Sequence, residues 1–153
     1  MQAGKARSAH NVKVLISSMR LRGKKMTSVI YASTGTLLII WLSLHVIRIR
    51  QRDRVSVGDG GIEELKTAMG AQYKAVEYIP IGLLLLFALQ YNGGHMILVH
   101  LAGTVLIAGR ILHARAMHAR DLKGRVLGMQ ITIYCLIFLA GVNLLYLPWV
   151  KLI

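Results

Sequence analysis

Glu77 stands in the string Ala75-Val76-Glu77-Tyr78-Ile79-Pro80, near the start of a run that stays apolar or small as far as Tyr91 apart from Gln90. A carboxylate at membrane depth costs about 2.5–3.5 kcal/mol on insertion scales, so an acid in such a run marks a candidate functional site. On a helix over residues 69–91, Gly70, Lys74, Glu77 and Ile81 share one face, with Tyr78 beside them. Two uses of the acid follow. Lys74 and Glu77, at i and i+3, can neutralise each other, or Glu77 can hold the ammonium group of a ligand. Pro80 carries no N–H, so the Val76 carbonyl loses its helical partner, which predicts a kink or a freed acceptor next to the acid.

A second polar cluster, Arg110, His113 and Met117, falls on one helical face at i, i+3 and i+7, with Arg115, His118 and Arg120 further around. A site bounded by Glu77, Tyr78, Arg110, His113 and Arg125 offers cations to carboxylates and to a thiolate, and one carboxylate to an ammonium. A small zwitterionic peptide has that pattern of charges. For Arg48, Arg52, Arg115 and Arg120 the plainer use is anchorage, with long side chains snorkelling to the headgroups. His45, His95 and His100 lie in different apolar runs or at their ends, and none pairs at the i, i+4 spacing that chelates a metal on a helix. No metal site is expected on this ground.

The elements that carry these residues follow from composition. In 153 residues, 55% are hydrophobic and only 16% charged, and the mean hydropathy is +0.54. A soluble core of this size leaves too much apolar surface in water, which predicts an all-α integral membrane protein. Four apolar runs are candidate spans: Val29 to Ile47, Ala75 to Tyr91, Met96 to Leu112 and Val126 to Val150. About 20 residues are needed to cross a 30 Å hydrocarbon core, so the second is expected to extend back through Met69 and the third out to His113. With one cysteine, Cys135, no internal disulfide can form. The formal charge of +13 bears on membrane topology rather than on nucleic acid, since no nucleic-acid-binding signature accompanies it.

Between the first two runs lie Arg48, Arg50, Arg52, Arg54 and Lys66; between the last two lie Arg115, Arg120, Lys123 and Arg125. The connection Asn92-Gly93-Gly94-His95 has no Lys or Arg, so the charge bias places both basic loops in the cytoplasm. Residues 1–25, with seven Lys or Arg and no acid, run against that bias. They are expected to be a basic N-terminal extension separate from a four-helix domain over residues 26–153, with Met26 as the favoured start and a targeting peptide or an inverted topology as alternatives. Gly58-Asp59-Gly60-Gly61 reads as a turn with positive φ. Gly124 and Gly128 form a GxxxG pair that favours close helix packing.

The strings Arg54-Val55-Ser56-Val57-Gly58-Asp59-Gly60-Gly61, Ala75-Val76-Glu77-Tyr78-Ile79-Pro80-Ile81 and Ala108-Gly109-Arg110-Ile111-Leu112-His113 together resemble the membrane-associated proteins in eicosanoid and glutathione metabolism, the MAPEG family, in its bacterial, YecN-like branch. The resemblance spans about Met26 to Ile153. It implies a four-transmembrane-helix bundle, a homotrimer in a bacterial inner membrane, and a glutathione site between neighbouring protomers. By the same resemblance Glu77 and Tyr78 match the family's glutathione-contacting Glu-Tyr, Arg110 its arginine at the end of the third helix, and His113 a Tyr or His of different branches. Arg125, with a one-residue offset, corresponds to the arginine that stabilises the glutathione thiolate, and Arg50 loosely to a basic residue given by a neighbour. Gly70 and Lys74 stand where the family usually has an Arg seven residues before the Glu and an Asn three before it, and Met117 replaces a Tyr. Lys74 is placed to grip the same carboxylate from the next turn, though without the planar fork of an arginine.

The function expected is a glutathione-dependent transferase or peroxidase, with glutathione as co-substrate and a lipophilic electrophile drawn from the bilayer as the other reactant. The alternative is a non-catalytic trimeric scaffold that binds an anionic lipid or peptide. A transporter or channel fits less well, since no pair of broken helices is evident.

Overall fold

A computed structural model of the chain describes residues 27–147. The basic segment over residues 1–25 and the last residues of the fourth apolar run, 148–150, lie outside the described residues. Four helices follow one another: α1 Ser28–Asp53, α2 Glu63–Tyr91, α3 Met96–His118 and α4 Leu122–Leu145. All four are long and apolar enough to cross a membrane, and among the described residues no strand is present. The fold is an all-α integral membrane bundle, as composition requires.

The helices overrun the apolar runs, mostly at the basic end. α1 continues past Ile47 to Asp53, α2 starts at Glu63 rather than Ala75 or Met69, α3 continues past His113 to His118, and α4 starts at Leu122 rather than Val126. Hydropathy reports only the part of a helix inside lipid, whereas the helix itself ends where its terminal backbone groups find partners. Asp121 supplies such a partner for α4, its carboxylate accepting from the Lys123 and Gly124 N–H groups at 3.0 and 3.1 Å. Glu63 and Glu64 occupy the first turn of α2, where acids complement the helix dipole. α2 also runs unbroken through Pro80.

α2 and α3 form a central pair, with α1 packed on one flank and α4 on the other; α1 and α4 do not touch. Toward the end bearing the Asn92-Gly93 turn, α2, α3 and α4 meet around Leu86, Leu89, Val99, Leu106 and Leu139. Toward the basic end, α1, α2 and α3 meet around Leu42, Ala75, Ile79, Ala114 and Met117. At the α3–α4 crossing the two backbones approach closely. A Cβ on Gly128 would stand 2.7 Å from the His113 backbone nitrogen, so only glycine permits that approach. Leu37, Leu84, Phe87 and Ile137 are among many large apolar side chains left exposed, the expected surface of a protein solvated by lipid.

The turn at Gly58-Asp59-Gly60-Gly61 has the conformation expected of it. All three glycines have positive φ, and Asp59 accepts from the Gly61 N–H at 3.0 Å.

Candidate functional site

The 29 residues of α2 make a helix of about 43 Å, well over the roughly 30 Å of a hydrocarbon core. Its far end is tied to α3 by a four-residue turn, so the surplus projects from the basic end. Lys74, Glu77 and Tyr78 then fall about a turn inside the apolar layer.

Arg110 is the centre of the site. It is 2% exposed, and every partner it has is neutral. Its Nε donates to the Thr132 hydroxyl at 3.0 Å, one terminal nitrogen to the Lys74 carbonyl at 3.2 Å, and the other lies 3.6 Å from the Met129 sulfur. The guanidinium carbon stands 5.2 Å from the centroid of the Tyr78 ring, a cation–π contact. Among the described residues no carboxylate pairs with it. A buried cation without a counter-charge is costly to keep, and the hydrogen bonds and the ring offset only part of that cost.

Glu77 does not turn toward Arg110. Its carboxylate accepts from Lys74 Nζ at 2.8 Å, with both side chains about half exposed. The local neutralisation that the i, i+3 spacing allows is therefore formed. Lys74 Nζ also lies 5.7 Å from the centroid of the Tyr78 ring, so this one ring gathers both Lys74 and Arg110.

His113 is 8% exposed and sits between α3 and α4. Its Nδ1 lies 3.0 Å from the Arg125 carbonyl. A carbonyl only accepts, so Nδ1 carries the hydrogen, and in the neutral ring Nε2 is left as an acceptor. That Nε2 is buried and has no hydrogen-bond partner. His113, Arg125, Met129 and Gln130 line an open cleft of about 320 Å³ along α4. Met129, which meets Arg110, links this cleft to the Arg110 cluster. The polar groups thus form two clusters joined through Met129: Lys74, Glu77, Tyr78 and Arg110 where α2, α3 and α4 meet, and His113 with Arg125 at the cleft.

Residues 28–145 match the MAPEG family. The chain belongs to this family. Among curated proteins it is similar to the inner membrane protein YecN of Escherichia coli strain K12, with 40% identity over 124 residues, 81% of this chain and 95% of the relative. The same figures hold for the inner membrane protein YecN of Escherichia coli O6:H1 strain CFT073. The family assignment agrees with the four-helix architecture found here.

Of the residues that a MAPEG resemblance singles out, Lys74, Tyr78 and Arg110 come together directly, and Glu77 joins through Lys74. His113 and Arg125 meet through the Arg125 carbonyl. Arg50 is placed elsewhere. It donates to the Ser56 carbonyl at 3.5 Å and toward the Met69 sulfur at 3.4 Å, on the α1 flank, because its position on α1 faces the start of α2 and α1 does not reach α4. Met117 also lies apart from these two clusters. It is buried beside Leu42, Ala71 and Ala75, and a Cβ on Gly70 would lie 3.1 Å from its terminal carbon. The two departures at Gly70 and Met117 therefore pack against each other.

Thr132 escaped the sequence reading. It is fully buried, accepts from Arg110 and donates to the Gly128 carbonyl at 2.9 Å. The signal was present: Arg125, Gly128 and Thr132 fall at i, i+3 and i+7, a polar and small stripe along an otherwise apolar helix.

Proposed function

We propose that this MAPEG protein is an inner-membrane glutathione-dependent transferase or peroxidase, in which glutathione is the co-substrate and a lipophilic electrophile enters from the bilayer. The observation that carries this reading is Arg110, a buried guanidinium with no counter-anion among the described residues, clustered with the Lys74 cation and, through it, the Glu77 carboxylate. A tripeptide bearing two carboxylates, an ammonium and a thiol supplies what those groups lack. Arg110 and Lys74 take carboxylates, Glu77 takes the ammonium by exchanging it for Lys74, and Arg125 faces the thiolate.

The chain's single cysteine, Cys135, is buried and donates toward the Ala102 carbonyl at 3.4 Å, so the nucleophilic sulfur must come with the ligand. A nearby guanidinium lowers a thiol's pKa by favouring its anion, and the thiolate is the nucleophile that attacks the electrophile. Lys74 and Glu77 stand half exposed at apolar depth; a neighbouring copy in a homotrimer covers them and brings a basic residue, the role the family pattern gives Arg50.

The test is thermal unfolding of the purified protein with and without glutathione. A ligand at 100 times its Kd adds about 2.7 kcal/mol of stability. Arg110→Met is expected to fold, since an apolar group of similar volume often replaces a buried charge at no loss, and to lose the glutathione-dependent increment. If the wild-type protein gains nothing at millimolar glutathione, this reading fails.

A further inference from the structure

A second cleft, of about 280 Å³, opens on the opposite flank of the α2–α3 pair, lined by His45, Glu64, Thr67, Ala68, His118 and Arg120. It lies at the basic end, where α3 stops and α2 begins, so it sits at the boundary between lipid and water. Trp41, one turn deeper on α1 and half exposed, stacks on His45 with ring centroids 6.3 Å apart and lies 5.9 Å from His118. A tryptophan at this level is a boundary residue.

Two features suggest that the cleft is built for a ligand. Arg120 has φ +55. It is the residue that closes α3, its N–H bonding to the Met117 carbonyl and the next N–H, of Asp121, to the Ala116 carbonyl. Glycine or asparagine ordinarily fills that left-handed position, and an arginine there carries backbone strain. Among the described residues its guanidinium has no ion pair. The second feature is that the cleft also holds an acid. Glu64 pairs with Arg52 at 2.8 Å yet is half exposed, and each carboxylate oxygen can accept a further hydrogen bond. His118 Nδ1 donates to the Ala114 carbonyl at 2.7 Å, so its other nitrogen is an acceptor when the ring is neutral.

We propose that this cleft binds the headgroup of an aminophospholipid: Arg120 and the Thr67 hydroxyl hold the phosphate, while Glu64 and the free His118 nitrogen take the ammonium, with Trp41 below at the level of the glycerol backbone. Mixed charge decides the class. The Glu64 carboxylate repels a headgroup that is only anionic and attracts one that carries N–H donors. A trimethylated choline headgroup has the same net charge but no N–H to donate.

The full chain, stripped of lipid in detergent, is titrated with phosphatidylethanolamine, phosphatidylcholine, phosphatidylglycerol and inorganic phosphate, and bound species are counted by native mass spectrometry. Phosphatidylethanolamine is expected to bind about tenfold more tightly than the other two lipids, the yield of one charge-assisted hydrogen bond. Arg120→Gly suits the left-handed turn and so keeps the fold; it should weaken all three lipids alike, because it removes the group that holds the phosphate they share. Glu64→Gln should bring phosphatidylethanolamine down to phosphatidylcholine. Equal binding of the three lipids, a preference for phosphatidylglycerol, or indifference to Arg120→Gly overturns the proposal. So does inorganic phosphate that binds with the same dependence on Arg120 while no lipid is preferred, since the cleft is then a phosphate site.

Discussion

The two flanks of the α2–α3 pair treat their cations in opposite ways. On the α4 flank Arg110 is dry, 2% exposed, and held by a hydroxyl, a carbonyl and an aromatic ring. On the α1 flank Arg52 is wet and takes both Asp53 and Glu64 at 2.8 Å. Exposed ion pairs are screened by water and contribute little to stability, while a buried cation without a partner costs free energy that only a ligand or an assembly returns. The α4 flank is thus where a bound anion changes the molecule most, whereas on the α1 flank the Arg52 charge is already satisfied at the water boundary.

The strongest way to break this contrast is to pry the α4 flank open. Gly128→Val places side-chain atoms against the His113 backbone, which cannot give way. It is expected to destabilise the bundle by about 1–3 kcal/mol or more, read as a lower unfolding midpoint, and to abolish any glutathione increment.

Glu77→Gln should keep the fold and weaken glutathione about tenfold, by removing the charge that faces an ammonium; calorimetric titration measures it. Unchanged affinity would return Glu77 to its pairing with Lys74 alone. Arg125→Ala should spare most of the binding but raise the pKa of the bound thiol. The thiolate absorbance near neutral pH is expected to fall, and any transferase rate with it. The smallest effect belongs to the α1 flank: Arg52→Ala should leave the unfolding midpoint and the glutathione increment unchanged within error. A large loss there would erase the distinction between the flanks.

The departures at Gly70 and Met117 sharpen it further. Restoring an arginine with Gly70→Arg and Lys74→Asn requires the Met117 terminal carbon to move aside. The gain in glutathione affinity expected from a planar cation therefore appears only if that flexible side chain yields.

Four helices were legible in the sequence because a hydrocarbon core demands about 20 apolar residues for each crossing, and few other structures use such runs. Their ends were not legible, since caps such as Asp121 and the left-handed Arg54 and Arg120 set them, and hydropathy does not register a cap. The pairing of Lys74 with Glu77 and the shared face of Arg110 and His113 follow from helical periodicity within single segments. Spacing along one helix is local geometry, which the chain carries wherever the helix packs.

What only the tertiary structure decided lies between helices. Thr132 reaches Arg110, Met117 fills the space beside Gly70, His113 bonds the Arg125 carbonyl, and Arg50 is left on the flank away from Arg110. His45 and His118, far apart in sequence, meet with ring centroids 4.6 Å apart. Each of these depends on the rotation and crossing of one helix against another. The small residues at the crossings, Gly128 against His113 above all, set that packing, and a single helix's periodicity does not contain it.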